Sequence, residues 1–281
     1  MPRIHLVCLD FDGTVMAYDE EPGFLHPAVV EVLNELEGLE VAWCTNSGRG
    51  EESQRQILEL SAARGLKHWP AALLCGESLI FKRRGADYQP SEPWNTAVRR
   101  HLKSFHRRVQ NAMKKELEGW TARYQPTVYT GEEYTTLLVG EEEDRPARLF
   151  GELRKWALAS VPRCMVSRNG GWLSILPDHL GKGRVLETFV GGSGFSRDVT
   201  LAVGDHFNDI SMLDGAVAGC VGCPGDAIPD VVRAVADAGG YVAQDGGPEG
   251  TVEVIRHFLK DEPPEEGVSG EASGGPGNAP S

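Results

Sequence analysis

Short apolar runs closed by polar clusters alternate with stretches of helical period along most of this chain. Ile4, Leu6, Val7, Cys8 and Leu9 predict a buried strand, which ends in Asp10-Phe11-Asp12-Gly13-Thr14. Residues 15–26, broken by Pro22 and Gly23, predict a loop beside that end. From Pro27, Val29, Val30, Leu33 and Leu36 recur at helical spacing, and Gly38 suits the helix end. Val41 to Thr45 predicts a second strand, closed by Asn46-Ser47-Gly48-Arg49. A helix-patterned stretch from Glu51 to Arg64 and the run Ala71 to Cys75 complete a β-α-β-α-β series. Such a series builds a parallel sheet with its site at the C-terminal edge of the strands.

From Gly76 to His179 the pattern changes. Leu79 to Phe81 reads as strand, and residues 97–117 as one long amphipathic helix with Val98, Leu102, Phe105, Val109, Met113 and Leu117 on one face. Tyr134 to Val139 reads as strand and Pro146 to Ala159 as helix. Cys164 to Ser167 pairs with Trp172 to Leu176 across Asn169-Gly170-Gly171. This is an α+β insert in an α/β chain. The earlier pattern then resumes with a helix opening at Lys182 and a strand over Thr200 to Gly204. That strand ends in Asp205-His206-Phe207-Asn208-Asp209, where a helix start would set Asp205 and Asp209 on one face. Ala216 to Val221 and Tyr241 to Ala243 predict further strands, and Ile228 to Ala238 and Thr251 to Leu259 predict helices. The expected division is a core of residues 1–76 and 180–260, an insert of 77–179, and a disordered tail of 261–281 rich in Glu, Gly, Pro and Ser.

Charge narrows the partners. The 281 residues carry a formal net charge of −13, which argues against nucleic acid or an anionic membrane as a general partner. An anionic substrate would need a local positive site. The long helix has a basic face (Arg99, Arg100, Lys103, Arg107, Arg108, Lys114, Lys115), for which a solvated surface is the default reading. Six cysteines in apolar runs, with no leader sequence in view, suggest reduced thiols in a cytoplasm, and no run reaches membrane-spanning length. Cys220 and Cys223 lack the second ligand pair that a zinc site needs.

The chemistry gathers at the strand ends. Asp10 and Asp12, two apart on an extended backbone, turn both carboxylates to one side. Such a pair is costly unless a cation lies between the two or one keeps a proton. Lys182, between Gly181 and Gly183, lacks the spacing of a P-loop.

In this order the clusters resemble the motifs of the haloacid dehalogenase (HAD) superfamily of phosphohydrolases. The nearest likeness is to the Cof-type branch, whose cap lies between the second and third motifs. The first motif is similar to Asp10-Phe11-Asp12-Gly13-Thr14, the third to Lys182, and the fourth to Gly204-Asp205-His206-Phe207-Asn208-Asp209. For the second, Ser47-Gly48-Arg49 fits the branch, and Thr45-Asn46 fits a sister branch; Ser47 is the favoured phosphate ligand. Where the cap usually opens with Asn-Gly, this chain has Gly76-Glu77.

The resemblance implies a Rossmann-like parallel-sheet core with an α+β cap and a Mg²⁺-dependent phosphatase acting on a small phosphorylated metabolite, with a sugar phosphate expected. Asp10 would be the nucleophile and Asp12 the acid/base. Lys182, Thr45, Asn46, Ser47 and Asn208 would contact phosphate, and Asp10, Asp12 (by its carbonyl), Asp205 and Asp209 would surround the metal. A phosphomannomutase-like phosphotransferase and a non-catalytic phosphate-binding module are the alternatives.

Overall fold

The computed structural model describes residues 4–18, 22–140 and 142–260, so the expected disordered tail lies outside the described residues. The chain opens with β1 (Leu6–Leu9), a small antiparallel hairpin of β2 (Met16–Ala17) and β3 (Phe24–Leu25), α1 (Pro27–Gly38), β4 (Ala42–Ser47), α2 (Glu51–Ala62) and β5 (Ala72–Cys75). There follow β6 (Leu79–Arg84), β7 (Asp87–Pro90), α3 (Trp94–Met113), α4 (Leu117–Tyr124), β8 (Thr127–Thr130), β9 (Thr135–Leu138), α5 (Arg145–Ser160), β10 (Cys164–Asn169) and β11 (Trp172–Pro177). The last part is α6 (Lys182–Gly191), β12 (Thr200–Val203), α7 (Ile210–Leu213), β13 (Cys220–Cys223), α8 (Pro229–Asp237), β14 (Tyr241–Val242) and α9 (Gly247–Leu259).

One eight-stranded sheet runs in the order β14-β13-β12-β1-β4-β5-β6-β7. All neighbours from β14 to β5 are parallel, and β6 and β7 extend the sheet antiparallel. The parallel strands inside the sheet are buried on both faces, as their continuous apolar runs require, and the edge strand β14 is half-buried. Val7 and Leu9 of β1 pack toward α1, α2 and α9, through residues such as Leu33, Ile57 and Ile255. Leu6 and Cys8 face the opposite layer, formed by Val185 and Leu186 of α6, Met212 of α7 and Val231 of α8. α1 begins at Pro27, whose missing N–H is no loss in a first turn.

A second, antiparallel sheet in the order β10-β11-β9-β8 carries its own core, where Phe105 and Val109 of α3, Trp120 of α4 and Leu149 and Leu153 of α5 meet Leu137, Leu173 and Ile175.

Several expectations are revised. The loop over 15–26 contains the β2–β3 hairpin, because Val15, Met16, Phe24 and Leu25 are apolar enough to be buried. The single helix over 97–117 is two helices with a turn between, and Trp120 and Tyr124 continue the apolar period beyond that turn. Leu79 to Phe81, expected in the insert, lies in the large sheet beside β5. The strand expected over Ala216 to Val221 is displaced to β13, where Cys220 and Cys223 are buried and free, as are Cys8, Cys44 and Cys75. Cys164 is also free and half-buried. Among the described residues, no helix is long and apolar enough to cross a membrane.

Candidate active site

Register brings three polar clusters to one edge. Leu9 lies beside Thr45 on one side and Val203 on the other, so Asp10, Asn46 and Gly204 stand at the same level of that edge. Lys182 meets them from the first turn of α6. It is fully buried, and its ammonium lies 2.6 Å from Asp10 Oδ1 and 2.5 Å from Asp209 Oδ1. Gly183 permits this: a Cβ there would stand 2.1 Å from the Ser211 carbonyl, so only glycine lets α6 approach α7 so closely. Burial works against the lysine's charge, but Asp10, Asp209 and Glu77 outweigh it and hold its pKa well above the ordinary value. Asp10 is pushed well above the usual carboxylate range by burial and by the charge on Asp209, with Lys182 opposing.

Asp205 completes an acidic group. Oxygens of Asp10, Asp205 and Asp209 all lie within 4.8 Å of one another. Thr14 Oγ1 donates to Asp205 Oδ1 at 2.8 Å, and burial together with Asp209 raises the Asp205 pKa to about 7. Asp209 plays a different part. Its Oδ2 accepts the backbone N–H groups of Asp205 (3.0 Å) and His206 (2.9 Å), while Oδ1 accepts from Lys182. It closes the loop from within, at the end of a 3₁₀ turn that leads into the one-turn α7. Asp10 Oδ2 is buried without a hydrogen-bond partner among the described residues. A hard divalent cation that prefers carboxylate oxygen fits this donor set, because it would satisfy that oxygen and separate like charges.

Asp12, two residues on, is more exposed. Arg49 grips it with two nitrogens, Nε to Oδ2 at 2.9 Å and Nη2 to Oδ1 at 2.6 Å, and the Tyr18 hydroxyl donates to Oδ1 at 2.5 Å. Burial alone would raise the Asp12 pKa, but Arg49 and Tyr18 hold it below the ordinary value.

The three β4 candidates separate by what they already bond. Thr45 Oγ1 donates to Gln54 Oε1 at 2.5 Å. Asn46 Nδ2 donates to the Lys182 carbonyl at 3.0 Å, tying β4 to α6. Ser47 Oγ accepts the Arg49 N–H at 3.1 Å, and that bond leaves its hydroxyl hydrogen free to donate.

A cavity of about 990 Å³ opens over this edge, floored by Asp12, Arg49, Glu77 and Asn208 and roofed by the smaller sheet, with Tyr129, Ser167 and Trp172 among its lining. Tyr129 and Trp172 lie with ring centroids 5.5 Å apart. Sequence reasoning placed no role on Glu77, Ser167 or His206. Glu77 could have been found, since Gly76-Glu77-Ser78 closes β5 as the other clusters close their strands. Ser167 Oγ donates to both Glu77 oxygens at 2.9 Å, and Asn208 Nδ2 donates to Oε1 at 3.2 Å. His206 Nε2 accepts the Gly170 N–H at 3.2 Å, so Nδ1 carries the hydrogen that meets the Arg168 carbonyl at 3.0 Å. Nothing local in the sequence marks these contacts. The basic face of α3 is in part paired, Arg99 with Glu133 at 3.9 Å and Lys103 with Glu132 at 2.7 Å.

Comparison with known proteins bears on this geometry. A family model described as sucrose-6F-phosphate phosphohydrolase matches residues 3–259. No curated protein matches the chain. Among solved structures, the sucrose-phosphatase of Synechocystis sp. PCC6803, in complex with sucrose and phosphate, is similar with a TM-score of 0.65 at 19% identity, over 91% of this chain and 98% of that one. A HAD subclass IIB sugar phosphatase is similar with a TM-score of 0.60 at 17% identity, over 90% and 98%. A haloacid dehalogenase-like hydrolase from Bacteroides thetaiotaomicron gives 0.58 at 16%, over 91% and 100%. These structural likenesses speak for the fold.

Proposed function

We propose that this chain, which belongs to the sucrose-6F-phosphate phosphohydrolase family and is a phosphatase of the HAD type, is a Mg²⁺-dependent enzyme that hydrolyses a sugar phosphate through an aspartyl phosphate. The observation that carries the reading is the buried Asp10, with Lys182 on one oxygen and an unpartnered second oxygen, beside Asp205 and below a cavity that would hold the substrate.

A phosphate monoester is dianionic, so catalysis consists mainly of positioning and charge neutralisation. Asp10 attacks phosphorus in line, forming an O–P bond as the bond to the leaving oxygen breaks. Asp12 gives that oxygen its proton, then takes one from the water that attacks the phosphorus of the acyl phosphate and releases phosphate with Asp10 restored. Lys182 and Ser47 hold phosphoryl oxygens, and Asn208 supports them. Asp10, Asp205 and the Asp12 carbonyl would hold Mg²⁺, with Asp209 fixing the loop. Bound there, Mg²⁺ supplies positive charge that offsets the repulsion between carboxylates and phosphate. The organic half of the substrate lies against Tyr129 and Trp172, whose faces suit the C–H face of a sugar ring, while the neighbouring polar groups suit its hydroxyls. The insert, apart from β6 and β7 in the large sheet, would act as the cap that selects it, and the free cysteines suit a cytoplasmic setting.

The test is phosphate release across a panel of phosphomonoesters, with Mg²⁺ and with chelator, in wild type and Asp10→Asn. The variant should lose about 10³-fold or more in turnover, together with the acyl phosphate trapped by hydroxylamine. Full activity in chelator, or a trapped phosphoenzyme in Asp10→Asn, would overturn the mechanism.

A further inference from the structure

One buried carboxylate at the floor of the cavity has no part in the chemistry above. Glu77 follows β5 with a left-handed φ of 54° and is 5% exposed. Its backbone already joins two of the strand-end clusters: its N–H meets the Ser47 carbonyl at 3.4 Å, and its own carbonyl accepts the N–H of Gly181, the residue before Lys182, at 2.9 Å. Its side chain joins two more segments, Asn208 of the Asp205–Asp209 loop and Ser167 of β10 in the smaller sheet. Four separate stretches of chain therefore meet on one residue.

The side-chain bonds have a directional consequence. The Asn208 amide turns its NH₂ end toward Glu77 Oε1, so its buried oxygen, which has no partner among the described residues, points elsewhere. Lys182, Asp209, Ser167 and Asn208 are charged and polar groups around Glu77; burial raises its pKa above the ordinary value, with Lys182, Ser167 and Asn208 opposing and Asp209 adding to the rise.

Resting on the phosphatase reading, we infer that Glu77 is a positioning residue for the reaction: it sets the orientation of the Asn208 amide and holds Ser167 of the smaller sheet in register with the Asp10–Lys182 pair. Its effect is exerted through the groups it holds, since displacing a reacting constellation by even 1 Å costs on the order of 10²-fold.

The test uses the full chain with Glu77→Ala, Glu77→Gln and Ser167→Ala. Glu77→Ala should lower kcat by about 10- to 100-fold with KM changed less than about threefold. Glu77→Gln, which can still accept from Asn208 while donating to Ser167, should restore kcat to within about threefold of wild type. Ser167→Ala, which breaks one tie, should lose only about threefold. The NMR signals of the Asn208 side-chain amide give a reading independent of turnover: they should move in Glu77→Ala and stay near the wild-type position in Glu77→Gln. Wild-type kcat in Glu77→Ala with an unmoved Asn208 amide would overturn the inference, as would a kcat loss in Glu77→Gln as large as that in Glu77→Ala. Should Glu77→Ala not fold, the Gln and Ser167 variants decide by the same criteria. If the wild type releases no phosphate from any ester, the phosphatase reading fails, and the amide signals alone judge Glu77.

Discussion

Replacing Lys182 by methionine keeps the length of a fully buried side chain and removes the ammonium that lies 2.6 Å from Asp10 and 2.5 Å from Asp209. Two buried carboxylates then face each other with no cation between them. Removing one partner of a buried pair costs about 3–5 kcal/mol, a large share of the roughly 5–15 kcal/mol that holds most domains folded. Protonation offers a partial escape. Burial and Asp209 already hold the Asp10 pKa above its unfolded value, so the native state binds that proton more tightly, and acid favours folding through this group. Without Lys182 the pKa rises further, and one carboxylate is neutralised more readily at pH 5 than at pH 8, where each pH unit is worth about 1.4 kcal/mol. In chelator, Lys182→Met should therefore lose about 3–5 kcal/mol at pH 8 and less than about 2 at pH 5. Saturating Mg²⁺ should stabilise the variant more than the wild type, because a cation binding only the folded form adds most where the carboxylates lack another. Urea unfolding at both pH values, with and without Mg²⁺, measures all four quantities. Equal midpoints for the two proteins, or a loss that is the same at pH 5 and pH 8, would refute the reasoning.

Two further substitutions probe other parts of the site. Gly13 has φ of 80°, and a Cβ there would fall 2.2 Å from Asp205 Oδ2, so Gly13→Ala should cost about 2–4 kcal/mol and raise the Mg²⁺ concentration for half-maximal activity about tenfold; an unchanged metal requirement would count against Asp205 as a ligand. His106 is buried, with Nδ1 3.1 Å from Thr135 Oγ1 and its pKa lowered to about 4 by burial. The unfolded chain then takes up its proton below pH 6.5 while the native state does not, so this group's contribution is full above pH 6.5 and falls by about 2 kcal/mol on going to pH 5; His106→Gln should remove that acid sensitivity, and parallel stability curves for variant and wild type would exclude it.

What the sequence made legible follows from the architecture. In a parallel α/β sheet every strand is an apolar run that ends at the same edge, so Asp10, Ser47 and Asp205 could be placed together without knowing any contact. Lys182 was legible as a position, through its flanking glycines, but not as a fully buried cation between two carboxylates. The pairing of Arg49 with Asp12 spans 37 residues and that of Ser167 with Glu77 spans 90, and no local pattern encodes either. Two edge strands, β7 and β8, were missed for another reason. Asp87 to Pro90 and Thr127 to Thr130 keep most of their side chains in contact with solvent, so they lack the alternation by which a strand is recognised.

Asp10 and Asp12 are chemically alike and two residues apart, yet their surroundings drive them in opposite directions. Asp10 is sealed from water with its acidity weakened; Asp12 is gripped by Arg49 and Tyr18 with its acidity strengthened. An acid that must protonate a leaving oxygen is most useful when its pKa is raised toward the working pH, and a nucleophile must be ionised when the substrate arrives. In the arrangement described, the two shifts run opposite to these needs. A cation on Asp10 would lower its pKa and favour its ionised form, and transfer of the Arg49 guanidinium from Asp12 to an arriving dianionic phosphate would let the Asp12 carboxyl hold a proton more readily. Under the proposed mechanism these two changes of partner would suit each residue to its role, and would tie a competent nucleophile and acid to the arrival of metal and substrate together.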